Sequence, residues 1–296
     1  MTPSRRDFLI RSAGTAAALS LGAGIRPLSA VSSGLRRPPP TGSLDLLILG
    51  GTSFLGPHQV RYALERGHRV SIFTRGQTEP RLFVELFDEV EHLEGDRGGD
   101  LTALQGRTWD AVIDNSGRQV EWATASAEAL VDSVEHYLFV SSTGVYWPYL
   151  TVGVTEEVEP RLEDDPPRDE PSYGVMKARS EREVRRVFGD DRAIIVRPNY
   201  IVGPGDTTDR FPYWPVRIAR GGEVLVPGSY DDPVQFQDVR DLTEWMIHLV
   251  EEGVTGTFNA TGPFPTQATI AEMVYGIRAV TTEPVEWVWI DDYDFL

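Results

Sequence analysis

Tyr173 and Lys177 occupy positions i and i+4 of Y-G-V-M-K, at the head of a charged stretch that reads as helix through Phe188. That spacing stacks the two side chains on one helix face. Ser142 lies upstream in S-S-T-G-V-Y, directly behind the apolar run His136–Val140, which reads as a strand. A phenol, an amine and a hydroxyl so arranged can pass a proton to and from a substrate oxygen. A free phenol gives up its proton near pH ~10, and a neighbouring positive charge stabilises the phenolate while Ser142 hydrogen-bonds the same oxygen. Y-x-x-x-K is common by chance, but composition sharpens it: Lys177 is the single lysine among 28 Lys and Arg residues. Arginine is a planar, bulkier fork and does not substitute for a compact ammonium on a flexible stem.

The elements that must position these residues follow a β-α repeat. Leu44–Leu49 is a short apolar run ending in Gly50-Gly51-Thr52-Ser53-Phe54-Leu55-Gly56, and Pro57–Arg66 then reads as helix with Gly67 as its stop. Strand, glycine turn and helix form the setting in which a dinucleotide pyrophosphate sits at a helix N-terminus. The next strand, Arg69–Phe73, is followed by Thr74-Arg75-Gly76. An arginine there suits a ribose 2′-phosphate, so NADP is expected over NAD. Val90–Leu93 leads into Gly95-Asp96-Arg97, and Asp110–Ile113 into Asp114-Asn115-Ser116-Gly117. Both deliver small or polar residues at a strand's C-terminal end, where Asp96 could meet the adenine and Asn115 and Ser116 the cofactor groove. Helix Val120–Asp132, the His136 strand and Ala193–Val196 continue a parallel sheet.

The rest of the chain reads as a smaller lobe. Gly203–Asp232 is rich in Pro, Gly and aromatics and is expected to be a substrate lobe rather than regular sheet; Asp206, Asp209 and Arg210 could meet a polar substrate. A helix from Phe236 to Glu252 is expected, with Asp238 as its N-cap. Strand Thr257–Ala260, helix Thr269–Val280 and strand Val285–Ile290 follow.

Bulk properties narrow the partners. Net charge is −17, which repels phosphate backbones, so nucleic acid is not an expected partner and a small molecule is. There is no cysteine, hence no disulfide or thiolate chemistry, and the five histidines are scattered without a metal-ligand spacing, so no metal is expected. Ser4-Arg5-Arg6-Asp7-Phe8-Leu9 before a short apolar segment reads as a twin-arginine signal peptide over residues 1–33, with 34–43 as linker. Export to the periplasm or beyond is expected, with no stable membrane anchor after cleavage; a cytoplasmic protein is the alternative. An exported protein that needs a nicotinamide must carry it tightly, which favours chemistry returning the cofactor to its starting state.

L-I-L-G-G-T-S-F-L-G, S-S-T-G-V-Y, Y-G-V-M-K and R-P-N-Y-I-V-G-P-G-D together resemble the extended or atypical short-chain dehydrogenase/reductases, the NAD-dependent epimerase/dehydratase family, from about Leu44 onward. The resemblance implies a doubly wound Rossmann α/β domain over 44–200. A substrate lobe would follow over 201–296, interleaved with the last Rossmann elements at 238–262. It implies that Gly50, Gly51, Thr52, Ser53, Phe54, Leu55 and Gly56 line the pyrophosphate, Thr74, Arg75 and Asp96 the adenosine end, and Pro198 the nicotinamide. Ser142, Tyr173 and Lys177 fall on its catalytic positions, and a homodimer is expected. Ser53 replaces the middle glycine, as in the G-G-T-x-F-x-G branch, some of whose members are catalytically silent or bind RNA; such a binding protein is the alternative function. Thr143 and Gly144 stand where sugar-nucleotide 4,6-dehydratases carry an acidic pair, so epimerisation or simple alcohol/ketone redox is expected instead. The end at Leu296 reads as abrupt for the family, so further C-terminal elements are expected.

Overall fold

The computed structural model describes residues 42–115, 118–149, 153–263 and 268–295. The expected signal segment, most of the linker, and Ser116 with Gly117 lie outside the described residues.

In chain order the elements begin with β1 (Asp45–Leu49), α1 (Leu55–Glu65), β2 (Arg69–Thr74), β3 (Glu91–Glu94) and β4 (Trp109–Asp114). Then come α2 (Val120–Leu130), β5 (Val134–Val140), α3 (Tyr173–Phe188), β6 (Ala193–Pro198) and the two-residue β7 (Ile201–Val202). The chain continues with α4 (Tyr213–Ala219), β8 (Gly222–Pro227), β9 (Gln237–Asp238) and α5 (Val239–Glu251). It closes with β10 (Gly256–Ala260), α6 (Ile270–Ala279) and β11 (Val285–Ile290).

Leu46, Leu47, Ile48 and Leu49 are all fully buried, although successive residues of a strand point to opposite faces. Only a sheet covered on both sides buries such a run, which is why it reads as continuous rather than alternating. Seven strands pair in parallel in the order β10-β6-β5-β4-β1-β2-β3. On one face Leu46 and Ile48 pack with Val60 and Ala63 of α1 and with Leu242, Met246 and Ile247 of α5. On the other, Leu47 and Leu49 pack with Ala123 and Ala127 of α2 and with Val184 and Phe188 of α3. This is a Rossmann-like, doubly wound α/β fold. The strand order reverses between β1 and β4, and that switch point is where such sheets bind ligands.

Helix α1 starts at Leu55, two residues before the expected Pro57. Proline is tolerated there because first-turn N–H groups have no partner within the helix. Asp238 caps α5 as expected, its Oδ1 accepting from Arg240 N at 2.8 Å.

Gly203–Asp232 departs from its expected irregularity. Within it, α4 and β8 are regular, and β8 pairs in parallel with β11. Val224 and Val226 are fully buried while Glu223 and Leu225 are exposed, a period of two. These valines join Ile218, Val274 and the partly buried Trp214, Trp287 and Trp289 in a separate small core. The flanking glycines and prolines obscure that alternation in the sequence.

Below the switch point lies a buried ion pair. Arg97 donates to Asp114 through Nη1 at 2.7 Å and Nη2 at 2.5 Å, and Tyr137 donates to the same carboxylate at 2.7 Å. Arg97 also reaches Ser126 on α2 at 3.0 Å. The cluster ties the β3–β4 connection to β4, β5 and α2. Removing one partner leaves a buried charge uncompensated. Asp114→Leu is expected to lower unfolding free energy by about 3–5 kcal/mol, and Arg97→Met in the same chain to restore most of it; urea titration measures both.

Candidate active site

Strand β5 is buried to its end and delivers Ser141 and Ser142 above the sheet. Ser142 Oγ accepts from Gly144 N at 3.0 Å, which caps the short 3-10 turn Thr143–Tyr146. Helix α3 starts at Tyr173, with Ser172 as its N-cap accepting from Val175 N at 3.4 Å. The helix start lies directly on the turn: a Cβ on Gly174 would sit 2.1 Å from Gly144 O. Glycine at 174 is therefore required for the approach that joins Tyr173 to Ser142, whose side chains are hydrogen-bonded.

Lys177, one turn further on, is buried and donates through Nζ to Val140 O at 2.8 Å. Nζ stands 4.7 Å from the Phe139 ring centre and 6.0 Å from that of Tyr173. Burial lowers its pKa from 10.5 to about 8, against the charges of Asp114 and Glu181, which favour the ammonium.

The phenol departs from expectation. Tyr173 is 57 % exposed as a residue, yet desolvation at its hydroxyl is the largest influence and raises its pKa; the bond to Ser142 and the charges of Arg118 and Arg210 act the other way. Lys177 was the expected source of positive charge, but its ammonium is directed at a carbonyl of β5. The cations acting on the phenol are Arg118, on the connection from β4 to α2, and Arg210, whose guanidinium lies 4.5 Å over the Tyr200 ring. No spacing in the sequence marks either arginine.

A second buried network braces the group from behind. Arg197 donates to Glu181 at 2.6 Å and to the Tyr146 hydroxyl at 2.5 Å, Ser141 Oγ donates to Glu181, and Tyr146 donates to Asn259 at 2.9 Å. Glu181 is one helical turn beyond Lys177, a position the i+4 spacing could have flagged.

The glycine turn fits a dinucleotide. Gly50 has φ 82°, and a Cβ on Gly56 would lie 2.0 Å from Gly51 O, one on Gly51 2.6 Å from Ile72 Cγ2. Ser53 is exposed and its carbonyl accepts from Gly56 N at 2.7 Å, so a side chain is tolerated there. No side chain caps α1, which begins at Leu55 behind Phe54. Its first N–H groups and the cradle of small residues from Gly50 to Gly56, Thr52 included, suit a diphosphate. Pro204 O accepts from His58 Nε2 at 2.8 Å, holding the loop after β7 against the start of α1.

Of the other expected contacts, Thr74 Oγ1 accepts from Gly76 N at 3.2 Å, and Arg75 is exposed with no ion pair among the described residues. Asp96 is exposed and closes a turn by accepting from Gly98 N at 2.8 Å. The Asn115 side chain does not line the groove as expected: it exchanges hydrogen bonds of 3.0 and 2.6 Å with Gln59 and ties β4 to α1. Asp206 is drawn into a turn with Thr208. Pro198 closes β6 beside Ala260 of β10.

Parallel sheet, glycine cradle and hydroxyl–phenol pair define a Rossmann-type nucleotide-binding protein with a candidate active site at the strand ends. The chain belongs to the NAD dependent epimerase/dehydratase family, whose model matches residues 46–260. It is similar to the chloroplast stem-loop binding protein of 41 kDa b of Arabidopsis thaliana, 28% identical over 73% of this chain. The chain spans 58% of that relative's length. Among solved structures it is similar to WbmG of Bordetella bronchiseptica in complex with NAD and UDP, at 19% identity and TM-score 0.64, covering 85% of this chain and 84% of the other. It is also similar to the UDP-N-acetylglucosamine 4-epimerase of Bacillus cereus, at 18% identity and TM-score 0.64, covering 84% and 87%. At these identities the two structures establish the fold.

The depressed pKa of Lys177 makes a prediction about stability. Between about 8 and the ordinary 10.5 the unfolded chain holds this proton and the folded chain does not, so the group's contribution to stability rises with pH across that window. From about pH 8 to about pH 9.5 the wild-type chain is expected to gain roughly 1.5 kcal/mol that a Lys177→Met chain does not gain. Urea titrations at the two pH values measure the difference.

Proposed function

We propose that the chain is an NAD(P)-dependent epimerase or oxidoreductase acting on a sugar, a sugar nucleotide or a similar hydroxyl or keto compound. The observation that carries this reading is the bonded Ser142–Tyr173 pair, standing open at the strand ends with the buried Lys177 behind it. When bound, the nicotinamide supplies a two-electron acceptor for the hydride of an alcohol carbon. Ser142 orients the substrate hydroxyl, and Tyr173 takes its proton as the carbonyl forms and returns it in the reverse step. Arg118 and Arg210 make the phenolate easier to form, and Lys177 fixes the helix that carries Tyr173.

NADP is the proposed cofactor, supported by the exposed, unpaired Arg75 after β2, and tight retention is supported by the proposed export. Tyr173→Phe is expected to lower turnover by about 10²–10⁴-fold while the purified chain keeps its dinucleotide. Absorbance and mass of the retained cofactor, together with turnover on a panel of sugar nucleotides, test this; undiminished turnover would sink the reading.

A second reading, a binding protein without chemistry, is favoured by the likeness to the stem-loop binding protein. Against it stand the net charge of −17 and the Ser142, Tyr173 and Lys177 set. Retention of RNA on filters at low salt would reverse the ranking.

Export by the twin-arginine route is proposed from Arg5-Arg6 and the apolar segment behind it. Fractionation of cells carrying the tagged full chain is expected to place it outside the cytoplasm, and Arg5→Lys with Arg6→Lys to hold it inside.

A further inference from the structure

Asn199 follows Pro198 at the C-terminal end of β6, and both polar atoms of its side chain, Oδ1 and Nδ2, are buried with no partner in the protein. Among the described residues with unpaired buried atoms it alone leaves both a donor and an acceptor unmade; His58, Asp206 and Trp289 each leave one. A buried amide in that state is costly, and groups left so in a native structure call for an explanation.

Its frame is rigid. Asn199 N donates to Ala260 O at 3.3 Å, and Gln237 N donates to Tyr200 O at 2.8 Å, so the backbone is pinned on both sides. Nearby polar groups are committed elsewhere. Arg197 is held by Glu181 and Tyr146, and the Asn259 amide accepts from Tyr146 and donates to Val154 O.

Its place is functional. Ser141 N donates to Val196 O at 2.7 Å, so the end of β6 lies beside the end of β5 that carries Ser142. Ligands of doubly wound sheets bind outside these strand ends.

We propose that the Asn199 side chain reads a carboxamide, pairing its Oδ1 and Nδ2 with the amide nitrogen and oxygen of the nicotinamide ring. An amide is the group whose donor and acceptor match a second amide in one plane. The inference rests on the dinucleotide reading above. An acetamido group on a sugar offers similar chemistry, and an ordered water could satisfy the same atoms, so the test separates all three.

The test compares wild type, Asn199→Leu and Asn199→Asp, the last keeping volume and polarity should leucine prevent folding. Each cofactor-free chain is melted, then titrated with NADPH and NADH and with the oxidised nicotinamide and 3-acetylpyridine dinucleotides, the last lacking the amide donor. For Asn199→Leu the expected result is an unchanged or higher melting temperature together with about tenfold weaker binding of the nicotinamide dinucleotide. Wild type should prefer the nicotinamide form over the acetylpyridine form, and both variants should lose that preference.

A lower melting temperature with unchanged dinucleotide affinity indicates a structural water and overturns the proposal. Unchanged dinucleotide affinity with weaker binding of an N-acetylated sugar nucleotide assigns the amide to substrate and overturns it too. A wild-type chain that binds none of the dinucleotides overturns the functional reading along with it, whereas a wild type that binds them and variants that match it overturn this inference alone.

Discussion

The site depends on how closely one helix can approach one turn. A Cβ at position 174 would collide with Gly144 O at 2.1 Å. With glycine there, α3 lies against the turn that Ser142 caps, and Tyr173 meets Ser142. The contact is then repeated at every turn of the helix face. Lys177 donates to Val140 O, Glu181 accepts from Ser141, and Val184 and Phe188 enter the core beneath β5 and β6. Steric fit sets the height of the helix, two polar contacts set its rotation, and apolar burial holds it down. The catalytic geometry follows from these three together.

That arrangement requires charge to be buried, and the chain balances it locally. Lys177, Arg97 and Arg197 are buried cations; Asp114 and Glu181 are buried anions within hydrogen-bonding reach of the two arginines. The overall charge of −17 is therefore a surface property, while the interior beneath the site carries one cation more than its anions. Lys177 is the member without a bonded carboxylate in this set, donating instead to a carbonyl, and its pKa is the one that falls to about 8. Desolvation outweighs the two distant carboxylates because their charges are already neutralised by arginine.

Much of the sheet was legible in the sequence, for a physical reason. A strand buried on both faces is a short apolar run, and Leu46–Leu49 and Ile194–Val196 need no knowledge of their neighbours to be recognised. The meeting of Tyr173 with Ser142 was legible because helix spacing and a strand end are local properties. Strand β8 was not, since its two buried valines are framed by Gly and Pro and their burial depends on α4, α6 and β11. The direction of Lys177, the pairing of Asn115 with Gln59 and the burial of Arg97 depend on partners far along the chain, and a spacing rule does not see them. The two arginines beside Tyr173 escaped notice for the same reason: in a chain whose cations are nearly all arginine, their location is given by the fold and not by their type.

Ser53 shows how a departure from a motif is weighed. The glycine pattern has three separate physical demands, and this turn meets those that are steric. Gly50 takes a positive φ, Gly51 clears Ile72, and Gly56 clears the Gly51 carbonyl. Position 53 faces outward, so a hydroxymethyl group there crowds nothing in the turn, and its hydroxyl adds a donor at the mouth of the cradle. The serine is therefore compatible with a diphosphate held at the start of α1. What distinguishes a catalyst from a silent relative must lie instead at the other end of the groove, where the Ser142–Tyr173 pair, Lys177 and the unpaired amide of Asn199 are gathered at the ends of β5 and β6.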